Sequence, residues 1–246
     1  MIIIPIRLKN DVHANADIAS LILSSIKNEK QQLKKKDALV VAHKIVSKAE
    51  GRVIDLASVQ PSKRAIKIAK KHGKDPRIVE LMLRESRRIV KMERGIIITE
   101  TRHGLVCANA GIDKSNVYGD SVTLLPVNPD RSADKIRQTI RKQTGNDVAV
   151  IISDTFGRPF REGQVNVAIG ISGLKPFKDY RGSKDMFGKK LMVTKIAVAD
   201  EIASAAELVM GKVARVPIVI IRGFSYENKQ GSAKELIRKR EKDLFR

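Results

Sequence analysis

Two acidic positions in this sequence sit where chemistry is easier to explain than packing. In VAVIISDTFGRPFREG, residues 148–163, an apolar run ends at Ser153-Asp154-Thr155 and passes into glycine, proline and two arginines, Arg158 and Arg161. In CANAGIDKSN, Asp113 lies between Gly111 and Asn116, with Asn109 just ahead. Carboxylates beside hydroxyl or amide oxygens are hard ligands, suited to Mg²⁺ or Mn²⁺, ions that bridge protein carboxylates to substrate phosphates. A glycine near each aspartate gives a ligand room to approach the backbone. Aspartate also caps turns and helix starts routinely, and spacing alone does not bring the two segments together.

A third segment supplies cations. HKIVSKAEG follows the apolar run ALVVA (38–42), and Ile45, Val46 and Ala49 fit one helical face with Gly51 as the stop. Lys44 and Lys48 are then four apart near the positive helix start, a phosphate cradle or a solvated lysine face. Arg158 and Arg161 can clamp a carboxylate or phosphate, or neutralise Asp154 and Glu162.

Common catalytic classes are excluded by what is missing. The sequence has no G-x-x-x-x-G-K-[ST], no G-x-G-x-x-G after a strand and no G-x-S-x-G. His13, His43, His72 and His103 form no pair at i, i+4, and the single Cys107 rules out an internal disulfide or a Cys-rich zinc site. The charge, 48 Lys+Arg against 27 Asp+Glu, suits anionic partners in general. With aromatic residues at 4% and no tryptophan, stacking platforms for a nucleic acid are scarce, and solvated helix faces account for most of the basic residues. No apolar run approaches the ~20 residues of a membrane span, and MIIIPI is too short for a leader core, so a cytoplasmic protein is expected.

The elements that must position these residues mix strands and helices without a βαβ rhythm. The fold class is therefore α+β, with mixed or antiparallel sheets, packed helices and a two-part subunit. Strands are expected at 2–6, 38–42, 148–153 and 217–223, with a loop after Ser153. A hairpin turns near His103-Gly104. Helices are expected at 17–28, 130–144 and 197–210, in two segments between 62 and 92, and after the Ser232-x-x-Glu235 capping box. KPFKDYRGSKDMFGKK (175–190) marks an excursion, dividing the chain into a main domain, 1–160 plus 215–246, and a smaller one, 161–214.

VSKAEGR, NAGIDKSN, LLPVNPDRSA, ISDTFGRPFREG, VAIGISG, ADEIASAAELVMGK and VPIVIIRG, in this order, resemble the coenzyme F420-0:L-glutamate ligases, a family of γ-glutamyl ligases. The likeness runs from about Ala38 to Gly223 and leaves IRLKNDVHAN unmatched. It implies an amide-forming enzyme in which GTP phosphorylates a carboxylate of a deazaflavin coenzyme precursor. The amine of L-glutamate then attacks the acyl phosphate, and a second round adds a γ-linked glutamate. Asp113 and Asp154 would be catalytic and hold one Mg²⁺ or Mn²⁺, with Thr155 at a second and potassium as an additional ion. His43, Lys44, Lys48, Asn116 and Lys212 would contact the nucleotide, and Arg158 and Arg161 the substrate. A homodimer is implied, as is a chain without the flavin-binding domain fused to some relatives. One departure stands out: Lys212 occupies a place where some members carry a metal-binding glutamate.

Overall fold

Three runs, 38–41, 148–152 and 218–221, are apolar at every residue and at most 1% exposed, which a strand with one wet face would not tolerate. They form the centre of a sheet covered on both sides. The computed structural model describes residues 1–244. In chain order the elements are β1 (Ile2–Ile6), α1 (Ile18–Asn28), β2 (Ala38–Ala42), α2 (His43–Ala49), β3 (Val53–Asp55), α3 (Lys63–His72), α4 (Pro76–Glu85), β4 (Ser86–Glu93), β5 (Ile96–Thr101) and β6 (Val106–Ala108). They continue with β7 (Ser121–Thr123), α5 (Pro129–Thr144), β8 (Ala149–Arg158), β9 (Arg161–Ser172), β10 (Lys178–Asp179), β11 (Lys195–Ile196), α6 (Val198–Met210) and β12 (Ile218–Arg222). The result is the α+β class expected.

The main sheet runs β1-β12-β2-β8-β9, with β2 and β8 parallel and every other pair antiparallel. Alternation assigns its two faces. Leu39, Val41, Val150, Ile152, Ile218 and Ile220 pack with α1, α2 and α5, while Ala38, Val40, Ala149, Ile151, Val219 and Ile221 pack with α6. Asn128 caps α5, Pro129 opens it and left-handed Gly145 closes it. The first turn of α5 lies so close to β9 that a Cβ on Gly170 would stand 2.4 Å from the Pro129 carbonyl oxygen, so only glycine fits there.

Residues 53–123 form a second region, with a β3-β7 pair, a β4-β5-β6 sheet, α3 and α4 around two smaller cores. The division expected at residue 161 instead cuts the main sheet, because β9 pairs along its length with β8 and α6 packs on the same sheet. Within 161–214 only the segment carrying β10 and β11 stands outside it.

Three local expectations are corrected. The helix expected through Met92 ends at Glu85, and Ser86–Glu93 pairs with β5, placing Ile89 and Val90 on a strand that suits β-branched residues. The expected loop after Ser153 is strand: β8 continues to Arg158 and returns through Pro159-Phe160 as β9. The Ser232/Glu235 capping box forms, but it caps a 3-10 turn at Ala233–Leu236 and a second such turn follows at Arg240–Lys242. The sequence there, IRKREK, would place the like charges Arg238 and Lys242 four apart on a helix, which disfavours one.

Candidate active site

The site gathers at the carboxyl ends of the parallel pair, the place where open sheets with parallel strands leave room for ligands. Ala42 and Ser153 are register partners, and α2 starts at the very next residue, so His43 opens the helix beside Asp154, which continues along β8. His43 Nε2 stands 3.2 Å from Asp154 Oδ1, the ring 3% and the carboxylate 13% exposed. That approach lies off hydrogen-bond direction, so Nε2 is a buried nitrogen without a hydrogen-bond partner. Asp154 Oδ1 also accepts the Thr155 N–H at 2.7 Å.

Asp113 arrives from the second region. Its backbone exchanges two hydrogen bonds with Thr123, at 3.0 and 2.8 Å, which fixes the chain beneath the side chain. Lys44 Nζ stands 2.7 Å from Asp113 Oδ2 and donates to Ser115 Oγ, while the Ser115 N–H donates to Asp113 Oδ1 at 2.6 Å. Partial burial pushes this carboxyl up, but Lys44 and the Ser115 contacts outweigh burial and hold it below the ordinary carboxylate range. Consecutive residues of α2 thus contact Asp154 and Asp113, which brings the two predicted carboxylates to one helix.

Lys48, one turn further along α2, is not a solvated lysine either. Its ammonium donates to Asp11 Oδ1 at 2.6 Å, and burial, which raises the Asp11 pKa, is outweighed by this contact. Asp11 belongs to the N-terminal stretch IRLKNDVHAN, outside the seven motifs quoted above. Asn116 is exposed, three residues beyond Asp113, in the left-handed region at φ 59 that asparagine tolerates. Gly111 is needed for packing, since its φ is +70 and a Cβ would meet Leu125 at 2.8 Å, whereas a Cβ on Gly157 would meet nothing.

Strand alternation sends Thr155 to the other face, toward α6. Its hydroxyl donates to Asn166 Oδ1, its cross-strand partner, at 2.7 Å and accepts from Lys212 Nζ at 2.6 Å. Lys212 also stands 2.9 Å from Glu207 Oε1, and Glu207 Oε2 accepts from Asn166 Nδ2 at 2.9 Å. A register shift between Ile152 and Ser153, with Ile169 as the extra residue on β9, increases the local twist where the two faces diverge.

Arg158 and Arg161 lie at the hairpin end. Arg158 is four residues past Asp154, about 13 Å along an extended strand, and donates to the Glu162 carbonyl. Arg161 is exposed. At that separation Arg158 does not neutralise Asp154.

Sequence reading missed Asp11, Ser115, Asn166, Glu207 and Cys107. Burial pushes the Cys107 thiol up to about 12, and the charge of Asp154 adds to that, which places this side chain beside the site. Only Glu207 left a trace, because Asp200, Ser204 and Glu207 are polar residues at helical spacing within an alanine-rich helix.

Among the described residues no group of three or more His, Cys, Asp or Glu side chains is arranged to hold a metal ion. The oxygens present still fit a cation that takes one or two carboxylates and completes its shell with phosphate and water. Asp113 and Asp154 supply the carboxylates, and Asn109 Oδ1, four residues before Asp113, is a buried oxygen with no hydrogen-bond partner.

A site of carboxylates and lysines at the end of an α+β sheet is that of an enzyme, and comparison with known proteins defines its class as a ligase forming C–N bonds. The model of the F420-0:Gamma-glutamyl ligase family matches residues 6–223, and the chain belongs to that family. It is 50% identical over 238 residues to the coenzyme F420:L-glutamate ligase of Methanothermobacter thermautotrophicus, covering 96% of this chain and 94% of the relative. It is 51% identical over 211 residues to the protein of the same name from Methanocaldococcus jannaschii, covering 85% and 84%. A third, from Archaeoglobus fulgidus, is 44% identical over 231 residues, covering 94% and 90%. Among the described residues no helix is long and apolar enough to cross a membrane.

Proposed function

We propose that this protein adds L-glutamate to the deazaflavin precursor of coenzyme F420, using GTP and a divalent cation and passing through an acyl phosphate. The names of the relatives support coenzyme F420 and L-glutamate as substrates, GTP and the acyl phosphate are what the family resemblance implies, and the carboxylates and lysines of the site suit that chemistry. The single observation that carries the reading is that consecutive residues of α2, His43 and Lys44, bind Asp154 and Asp113. Two carboxylates for a cation and a lysine for phosphate thus meet at one helix.

In this reading a carboxylate oxygen of the precursor attacks the γ-phosphorus of GTP, and the bond from that phosphorus to the β-phosphate oxygen breaks, releasing GDP. The amine of L-glutamate, having lost a proton, attacks the acyl carbon, and phosphate leaves with the bonding pair. Asp113 and Asp154 hold Mg²⁺ or Mn²⁺, which when bound neutralises phosphate charge and polarises the phosphoryl group. Lys44 and Lys48 exchange Asp113 and Asp11 for nucleotide phosphates, and Asn116 lies beside that exchange. His43, too buried to reach a ligand with its ring, orients Asp154. Thr155 belongs to the second cation position, where the Lys212 ammonium stands. Arg158 and Arg161 lie far enough out to meet the distal part of a long anionic acceptor. A homodimer is part of the proposal. It is supported by exposed apolar side chains at Phe160, Met186, Phe187, Leu208 and Val213, each at least 82% exposed. Light scattering tests it, and a monomer at micromolar concentration would contradict it.

The test of the reaction is to incubate the protein with GTP, Mg²⁺ or Mn²⁺, with and without potassium, L-glutamate and the purified precursor. Mass spectrometry should show glutamyl addition matched by GDP release. GTP left intact and no glutamyl product in either metal would refute the reading.

A further inference from the structure

β9 is an edge strand, yet part of its outer edge is satisfied by a helix. α6 lays three polar side chains along it, at the i, i+4, i+7 spacing of one helical face. Asp200 Oδ1 accepts the Ala168 N–H at 2.9 Å, Ser204 Oγ donates to the Asn166 carbonyl at 2.8 Å, and Glu207 accepts from the Asn166 side chain. Asp200 and Ser204 serve the backbone and would by themselves seat the helix on the strand. Glu207 serves side chains only.

Its position calls for a reason. Glu207 lies in the last turn of α6, where the helix dipole disfavours an acid, and that turn holds no basic residue. The compensating cation comes from beyond the helix: Lys212. Around them a ring closes, Thr155 to Asn166 to Glu207 to Lys212 and back. Asn166 is 3% exposed, and its contacts fix which way its amide points, Nδ2 toward Glu207 and Oδ1 toward Thr155. The Thr155 hydroxyl therefore gives its proton to Asn166 and turns a lone pair to Lys212. Two of the three ammonium donors are held, and the lysine side chain, 56% exposed, keeps the third for a ligand.

We propose that Glu207 is a positioning residue that, directly and through Asn166 and Thr155, holds the Lys212 ammonium ready for the phosphate of the nucleotide. Neither Glu207 nor Asn166 need touch the substrate. The proposal rests on the GTP-dependent ligase reading, and it assigns to an ion-paired lysine a neutralising role beside Thr155.

A double-mutant cycle tests it, with Glu207→Gln, Lys212→Met and the double variant. The glutamine side chain removes the charge, and its amide oxygen can still accept from Asn166, so the helix contact survives. Each single variant should lower kcat/KM for GTP about 10- to 100-fold and weaken GDP binding, with the KM for L-glutamate unchanged. The double variant should be no worse than Lys212→Met, because Glu207 acts through that lysine. Lys212→Arg should recover part of the loss. Losses that multiply in the double variant would assign Glu207 a merely structural role and overturn the proposal. Lys212 is on the solvent side of the ring and its replacement spares the fold, so wild-type GTP kinetics in Lys212→Met would overturn it whatever Glu207→Gln does. A wild-type protein that neither binds GDP nor consumes GTP would refute the ligase reading itself, and the proposal with it.

Discussion

Asp154 and Thr155 are adjacent in the chain and belong to two differently built half-sites. On the Asp154 face the side chains form separate couples: Asp154 with His43, Asp113 with Lys44, Asp11 with Lys48. No member is shared, so an incoming cation or phosphate can replace one partner and leave the others seated. On the Thr155 face four side chains close a ring in which each member contacts two others, so the Lys212 ammonium is held from two sides. Under the proposed function, the first half serves exchange and the second holds one charge still.

The strongest attempt to break this contrast is Asp113→Asn. If the open half receives the cation, turnover should fall by about 100-fold or more and the concentration of Mn²⁺ needed for half-maximal rate should rise. Near-normal rate at the usual metal concentration would remove Asp113 from the site. A smaller effect is expected at the next couple. Lys48→Met should raise the KM for GTP about tenfold with kcat nearly unchanged, the signature of lost ground-state binding. A fall in kcat alone would place Lys48 in the chemical step instead.

Packing beneath the site gives a stability prediction on the same scale as a core defect. Gly170→Ala drives a methyl into the Pro129 carbonyl, and backbone cannot give way cheaply, so a loss of about 1–3 kcal/mol is expected in a denaturant melt. Gly157→Ala, with open space around it, should cost far less.

The open couples should also be the acid-sensitive part. The Asp113 carboxyl is held below its ordinary 3.8, so the stability it contributes is complete above that value and lost as pH falls through the lower folded value. Between pH 4 and 2 the Asp113→Asn protein should therefore lose melting temperature less steeply than wild type. Cys107 offers the mildest check. With its thiol pushed up to about 12, it should resist iodoacetamide at pH 8 in the native state and react only on unfolding. Rapid alkylation of the folded protein would show that the interior beside Asp154 is wetter than described.

What could be read in the sequence divides along the same line. The central strands were legible because burial on both faces leaves no polar residue in 38–41 or 218–221, and α5 because Asn128, Pro129 and Gly145 mark its ends. Asp113, Asp154 and Lys44 were legible as types of residue, and their meeting was not. It depends on the Ala42–Ser153 register of two strands more than a hundred residues apart, which no local pattern encodes. The ring was hidden more deeply, since Asn166 reads as one polar position of an alternating strand and Glu207 as a surface acid. The misread stretch 86–92 shows the converse, because Ile89 and Met92 continue a helical spacing that tertiary pairing with β5 overrides. Ser232 and Glu235 formed their capping box without a helix to follow, so a correct local signal fixed only a single turn.

The most direct test of the central claim is glutamyl-product formation by Asp154→Asn beside wild type, with GTP, Mn²⁺, L-glutamate and the precursor, on protein shown to melt normally. Asp154 is the residue in contact with His43 and the one from which the two faces diverge. The account predicts product and GDP release reduced together by about 100-fold or more in the variant. Product formed at near the wild-type rate would contradict it.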